Sequence, residues 1–160
     1  MSSHRRGAVA AMVILLLPAF TALLALVADL GLVLHARAAL RASADLAALA
    51  GVQELDLEAL AQGEPRLLPD VAMTVANTYA RANISKQLGN AAGQVLQVKV
   101  DVYNASAREP LVHDRTGRLL EAPTVCVRLT LPLRLVLATR IMGRSEYRVE
   151  AHADAAVVRR

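Results

Sequence analysis

Residues 7–28 read GAVAAMVILLLPAFTALLALVA, a run of 22 consecutive positions without a charged side chain. Arg5 and Arg6 precede this run and Asp29 follows it. At 1.5 Å per residue, a helix over residues 8–28 is about 31 Å long, close to the roughly 30 Å thickness of a bilayer hydrocarbon core. The run therefore predicts a membrane-spanning helix over residues 8–28.

Two other structures would account for an apolar run of this kind. A core helix that is apolar on every face needs a domain large enough to enclose it, and the rest of this chain is short for that purpose. A cleaved secretory signal has a shorter apolar region and small residues at the cleavage site, where this chain offers Leu26-Val27-Ala28. We therefore expect an uncleaved anchor, with residues 1–7 in the cytoplasm because Arg5 and Arg6 precede the span.

Asp29 stands at the far end of the span and has two interpretations. It is either a functional charge inside the membrane or the outer boundary of the span, where the carboxylate reaches headgroups and water. We prefer the boundary interpretation. Within the span, Pro18 removes one backbone donor, which membrane helices tolerate when neighbouring groups satisfy the freed carbonyl.

A helical pattern continues beyond the span and predicts an amphipathic stalk over residues 29–51. Apolar side chains recur on one side of it and charged side chains fall opposite. The apolar set is Leu32, Ala36, Ala39, Leu46 and Ala50, and the charged set is Arg37, Arg41 and Asp45. The Ala-rich stripe permits close approach of another element, either in the chain's own head or in a partner helix, and the sequence leaves both alternatives open.

Residues 52–160 are predicted to form an α+β head. An acidic connection leads to a second helix that begins at Asp70 as N-cap and ends at Gly89, with Val71, Val75, Tyr79 and Ala82 sharing one face. The period then changes from 3.6 to 2, which predicts strands at residues 96–103, 125–131 and 147–157. Residues 114–117 have turn composition and predict a small hairpin, and residues 133–142 predict a short helix. These elements together predict a three- to four-stranded antiparallel sheet that is covered by the two helices.

Composition excludes several function classes. The chain has 160 residues and a net charge of +4, spread evenly over its length, with 2% aromatic residues. Basic patches and aromatic stacking platforms are therefore missing, and nucleic-acid binding is not expected. Cys126 is the single cysteine, so no internal disulfide can form.

No pattern of catalytic or ligand-binding residues is evident. The four histidines lie on separate elements without metal-ligand spacing, and no histidine can be assigned as a partner of Cys126. They are His4, His35, His113 and His152. Phosphate-binding glycine loops and nucleophile-elbow serines are also missing. We therefore expect no metal, no cofactor and no enzymatic activity.

Two stretches of the N-terminal third carry a resemblance to a known family. The first is the RRG start at Arg5, with the span that closes in VADLG at residues 27–31. The second is RAALRASADLAALAG at residues 37–51. Both resemble the N-terminal region of TadG-like (TadE/TadG-like) proteins of the Flp, or tight adherence, pilus-assembly system, in a short form without a von Willebrand-type domain. Weaker similarity continues through much of the remaining chain.

The resemblance implies a pilin-like architecture and a single-pass protein of the bacterial inner membrane with a periplasmic head. It implies a minor pilin or pseudopilin that works by helix and head packing with other Tad membrane proteins, in a homo- or hetero-oligomer within the lipid bilayer. Met12 stands where type IV-like prepilins carry the Glu that accompanies processing after Gly7, so we expect the N-terminus to be retained. The residues expected to serve the membrane anchor and assembly are Arg5, Arg6, Gly7, Pro18, Asp29, Gly31, Ala36, Ala39, Leu40, Asp45 and Ala47.

The leading functional prediction is thus a membrane-anchored assembly component of a Tad pilus or a related secretion apparatus. The alternative is a membrane-anchored periplasmic binding module whose sheet captures a ligand or an envelope polymer.

Overall fold

The computed structural model of the protein describes residues 3–135, 143 and 146–158, with side chains from residue 12 onward. The chain divides into two compact units. Met1–His35 and Leu133–Tyr147 form the first, here the anchor unit, and Ala36–Pro132 and Arg148–Arg160 form the second, here the head unit. The short helix expected at residues 133–142 falls largely outside the described residues.

The N-terminal helix α1 extends over Ser3–Gly51 and continues through Pro18. The Thr21 hydroxyl donates to the Pro18 carbonyl at 2.9 Å. A window of 18 residues in this helix has a mean hydropathy of 2.4 and is only 6% buried. The large apolar side chains in this part of α1, such as Ile14 at 70% exposure, are open to the surroundings. A soluble core helix would bury them, so the alternative of a core helix is wrong for this segment.

A second long helix, α3, is preceded by the short helix α2 at Leu57–Ala61 and extends over Pro69–Leu88. The expected N-cap Asp70 is wrong by two residues. Leu68 occupies the cap position without a side-chain hydrogen bond, and Pro69 starts the helix with its φ already suited to the first turn. The expected stop at Gly89 is confirmed, and its φ of +92° is one that glycine adopts without strain.

The buried face of α3 differs from the apolar face expected from the sequence. The structure buries Ala72, Ala76, Ala80 and Ile84, whereas Val71 and Tyr79 are 42% and 52% exposed. The first three members of the two stripes are offset by one residue and share a spacing of four, so periodicity alone does not distinguish them. The alanines face the core because the backbone of α1 at Gly51 comes close to α3, and only a small side chain fits between the two helices.

A three-stranded antiparallel sheet forms the other layer of the head. After the short helix α4 at Asn90–Val95, the strands are β1 at Gln97–Tyr103, β4 at Thr124–Leu133 and β5 at Tyr147–Ala156, in the order β1-β4-β5. Strand β1 pairs with β4 in the register Asp101↔Cys126. The expected alternation is confirmed, because the inner face of the central strand buries Val125, Val127, Leu129 and Leu131.

The expected small hairpin is also present. Strands β2 at Leu111–Val112 and β3 at Leu119–Leu120 pair antiparallel. Between them, the Gly117 amide donates to the His113 carbonyl at 2.9 Å, and Gly117 adopts a φ of +66°. The residue types that predicted a turn therefore form one.

The end of α1 lies against α3 and the central strand. A Cβ placed on Gly51 would stand 3.2 Å from the Ala72 carbonyl oxygen, 3.3 Å from the Ala76 Cβ and 3.2 Å from Val125 Cγ1. The core of the head unit is thus built between the last turns of α1, the alanine face of α3 and the inner face of the sheet. This is the α+β class expected from the sequence.

Candidate functional site

The Ala-rich stripe of the stalk is covered by the chain's own head. We call it the inner stripe; its side chains are at most 2% exposed and comprise Ala36, Ala39, Leu40, Ala44 and Ala47. Ser43 on the same face accepts a hydrogen bond from Gln87 of α3 at 3.4 Å. Of the two alternatives left open by the sequence, the structure therefore shows packing within the chain for these side chains.

A second apolar stripe on the same part of α1 faces away from this core. We call it the outer stripe, and it consists of Ala38, Ala42, Leu46 and Leu49 at spacings of four, four and three residues. Both alanines are exposed, and the two leucines are 49% and 52% exposed. The expectation that Leu46 lies on the same side as Ala36 and Ala39 is therefore wrong. Leu46 lies just outside the buried face of α1 and stays half exposed. The outer stripe presents apolar surface that the head leaves uncovered.

One ion pair lies beside the outer stripe. The Arg41 Nε lies 3.6 Å from the Asp45 carboxylate, one helical turn apart, and both side chains are at least half exposed. Such a pair contributes only a few tenths of a kcal/mol to helix stability. Asp45 therefore acts as a polar border of the stripe rather than as a core residue.

The predicted anchor residues lie in the first part of α1. Arg5, Arg6 and Gly7 are within the helix, in the portion whose side chains are outside the described set. A Cβ placed on Gly31 would have no atom within 4 Å, so a methyl group would fit there. Asp29 is only 8% exposed, and its place at the boundary of the span stays a prediction.

The N-terminal part of the chain also matches a known family. The sequence model of the Tad family, described as Flp pilus-assembly TadE/G-like, matches residues 7–54. This segment is TadE/G-like. The match covers α1 from Gly7 to its end and stops before α2, so it contains the apolar span, the inner stripe and the outer stripe. No curated protein and no solved structure matched the chain.

The TadE/G-like segment supports involvement of the protein in Flp pilus assembly. Its long apolar helix fits a single-pass membrane anchor. The family is one of structural and assembly proteins.

Outside the TadE/G-like segment, the head brings together three side chains that the sequence did not connect. His113 just after β2, Cys126 on β4 and Asp154 on β5 place one ligand atom each within 4.8 Å of one another. The sequence assigned no histidine to Cys126, and the structure places His113 beside it. Strand alternation puts Cys126 and Asp154 on the outer face of adjacent strands, but no local pattern shows that the hairpin carries His113 to the same point.

The electrostatics of this cluster keep the cysteine protonated. Burial and, after it, the neighbouring Asp154 carboxylate together raise the pKa of Cys126 to about 12. A thiolate is the reactive form of cysteine, so the side chain is not an activated nucleophile. On the same face, burial and then the Arg115 charge lower the pKa of His152.

The head unit also has an open groove of about 920 Å³. Its lining comes from the connection before α3, the loop after β1, and the segment from β3 to the start of β4. Both positively and negatively charged side chains line the groove, including Arg66, Arg108, Glu109 and Glu121. A groove of mixed charge does not by itself select a ligand class.

Proposed function

We propose that this protein is a membrane-anchored, minor pilin-like assembly component of an Flp (Tad) pilus or a related secretion apparatus. The observation that carries the proposal is the coincidence of the TadE/G-like match, residues 7–54, with a helix whose apolar side chains the chain itself leaves exposed. The apolar surface of such a helix is buried by a lipid bilayer and by contact with other helices.

The proposed topology follows the charges that flank the span. Residues 1–7 lie in the cytoplasm, because Arg5 and Arg6 precede the apolar run, and the head lies in the periplasm. The membrane is the bacterial inner membrane, where pilus-assembly components of this family would act. No enzymatic activity is part of the proposal.

The proposed contact with other pilus components is the outer stripe. The inner stripe is already buried and supports the head from inside, so Ala36, Ala39, Leu40 and Ala47 contribute to assembly by fixing how α1 presents its other face. Leu46 and Leu49 offer the largest exposed side chains of the outer stripe. Ala38 and Ala42 leave room for a partner helix to approach closely, as small residues do in helix pairs.

Site-specific photocrosslinking in cells that assemble the pilus tests this contact. A crosslinking amino acid at Ala42, on the outer stripe, is expected to give adducts with other Tad membrane proteins. The matched control is Leu60, which is 42% exposed but lies on α2 outside the TadE/G-like segment, where adducts with partners are not expected. If Ala42, Leu46 and Leu49 all give no partner adducts at normal abundance, the proposed contact is refuted.

A charge substitution provides a second test. Leu46→Arg places a cation in the outer stripe and is expected to lower pilus assembly while the protein stays in the membrane. Leu57→Arg is the control, because Leu57 is also exposed, at 75%, but lies on α2 outside the TadE/G-like segment. Equal assembly in the two variants would contradict the proposal.

The groove favours a second candidate function, a membrane-anchored periplasmic binding module. Its volume of about 920 Å³ is in the range of ligand sites. Reversing two of its charges, Arg66→Glu and Arg108→Glu, separates the candidates. Pilus assembly is expected to survive these changes if the protein acts by helix packing, and to fail if the groove binds an essential ligand.

A further inference from the structure

The cluster of His113, Cys126 and Asp154 lies on the outer face of the sheet, opposite the core. Cys126 is 7% exposed, and the Asp154 side chain is 27% exposed, so the cluster is mostly enclosed but open to solvent at the carboxylate. A cavity of about 10 Å³ lies between these residues. That is close to the volume that one water-sized particle requires.

His113 has a buried nitrogen that lacks a partner. The residue is 6% exposed, and among the side chains that the structure describes its Nε2 is the one buried nitrogen or oxygen without a hydrogen bond. Such orphaned polar atoms are rare in native interiors and call for an explanation such as a bound ion.

The ring of His113 is held so that this nitrogen faces the cluster. The backbone amides of Arg115 and Thr116 donate to its Nδ1 at 3.1 and 3.3 Å, and the Tyr103 ring stacks on it with centroids 5.7 Å apart. The Nε2 then lies 3.6 Å from the Asp154 carboxylate. This distance is too long for a hydrogen bond, but it is close to the separation of two ligand atoms on one tetrahedral zinc, about 3.3 Å from bonds of about 2.0 Å.

We propose that His113 Nε2, Cys126 Sγ and an Asp154 carboxylate oxygen bind one Zn²⁺ ion on the outer face of the sheet. The set combines a thiolate, an imidazole and a carboxylate, which are the ligand types that zinc takes in proteins. Three protein ligands leave the fourth tetrahedral position to water. The assignment concerns the head alone and does not depend on the role proposed in pilus assembly.

Binding displaces one proton and moves another. The Cys126 thiol proton, held against Asp154, leaves to solvent, because a coordinating thiol is deprotonated by the metal. Since Nδ1 accepts two amide hydrogen bonds, the neutral His113 ring carries its proton on Nε2, and this proton moves to Nδ1 when zinc takes Nε2. The amides of Arg115 and Thr116 lose this acceptor when the ring changes tautomer, so binding requires the hairpin backbone at these two residues to shift.

The surrounding charges include both signs. The backbone register places Asp101 directly opposite Cys126, and Asp101 lines the cavity together with Asp154. Arg115 and Arg128 line it as well. Lys99 Nζ lies 3.4 Å from the Asp101 carboxylate and adds a further positive charge beside the cavity.

Metal titration of the full chain in detergent micelles tests the site. After removal of metals with a chelator, the protein is expected to bind one Zn²⁺ per chain. Co²⁺ is expected to give a thiolate-to-cobalt charge-transfer absorption that Zn²⁺ displaces and Mg²⁺ does not. In the unmodified protein, the backbone amide resonances of Arg115 and Thr116 are expected to shift when Zn²⁺ is added.

Variants identify the ligands. Cys126→Ser is expected to abolish the charge-transfer absorption, and His113→Gln and Asp154→Asn are each expected to weaken Zn²⁺ binding at least about 10-fold, the smallest loss seen even for outer-shell partners. His35→Gln, an exposed histidine on α1, is the matched control and is expected to bind as the unmodified protein does. The circular dichroism of each variant shows that the head is folded. If the folded, unmodified protein gives no charge-transfer absorption, or if His113→Gln binds Zn²⁺ as tightly as His35→Gln, the proposal is overturned.

Discussion

Substitution of two adjacent alanines by phenylalanine separates the two faces of α1. Ala39 belongs to the inner stripe and is 2% exposed, whereas Ala38 belongs to the outer stripe and is exposed. Both variants lose the same helix propensity, up to about 0.7 kcal/mol. The difference between them therefore reports only what each side chain contacts.

The expected magnitude follows from burial. At Ala39 a phenyl ring has no free space, so it displaces packed neighbours and costs about 1 to 3 kcal/mol of unfolding free energy, or more. In a domain of roughly 100 residues, each kcal/mol lowers the melting temperature by about 4 °C or more. Ala39→Phe is thus expected to melt about 4 to 12 °C below Ala38→Phe.

The assay is thermal unfolding of the full chain in detergent, followed by circular dichroism and by protease cleavage of the head. In cells, Ala39→Phe is expected to lower membrane abundance, whereas Ala38→Phe is expected to keep normal abundance and lose partner crosslinks. Equal melting temperatures for the two variants would refute the assignment of Ala39 to the core of the head. Normal crosslinking in Ala38→Phe would refute the outer stripe as a contact.

The remaining predictions concern topology, processing, packing and cysteine reactivity. A reporter fused to the C-terminus is expected to be active in the periplasm only, and carbonate washing is expected to leave the chain in the membrane; cytoplasmic reporter activity would be the contrary result. Because Met12 replaces the expected Glu, mass spectra of the mature protein are expected to lack an N-terminal peptide that begins at Ala8. Gly51→Ala is expected to lower the melting temperature of the head, since its Cβ would meet three atoms at 3.2 to 3.3 Å, whereas Gly31→Ala, with nothing within 4 Å, is expected to leave it unchanged or raise it; the reverse order would contradict the packing described. The Cys126 pKa of about 12 against an ordinary 9.0 lowers its thiolate fraction about a thousandfold at pH 8, so alkylation is expected to be that much slower than in urea. Because the pKa of Cys126 is higher in the folded head, its contribution to the free energy of unfolding is fully present below about pH 9 and is lost as the pH rises from 9 towards 12.

The long helix and the strands could be predicted from the sequence because each has a strong local pattern. A run of 22 uncharged residues and a change of period from 3.6 to 2 need no knowledge of distant contacts. The turn at residues 114–117 could be predicted for the same reason, since its residue types suit a turn on their own.

The features that the sequence did not reveal depend on contacts between distant elements. The stripes that start at Val71 and Ala72 have nearly the same period, and the close approach of α1 at Gly51 to Ala72 and Ala76 favours burial of the alanine stripe. The meeting of His113 with Cys126 and Asp154 depends on where a hairpin settles on the sheet. No local pattern of residues predicts that position, because the three side chains come from a hairpin loop and two separate strands.

The packing of α1 against α3 has a consequence for mutational mapping. Alanines occupy many of the buried positions of both helices, from Ala36 to Ala47 on one and from Ala72 to Ala80 on the other. An alanine scan would leave these positions unchanged and would report no effect at buried positions of the head. A scan that enlarges side chains, alanine to leucine or phenylalanine, would instead reveal the contact as a band of intolerant positions along both helices.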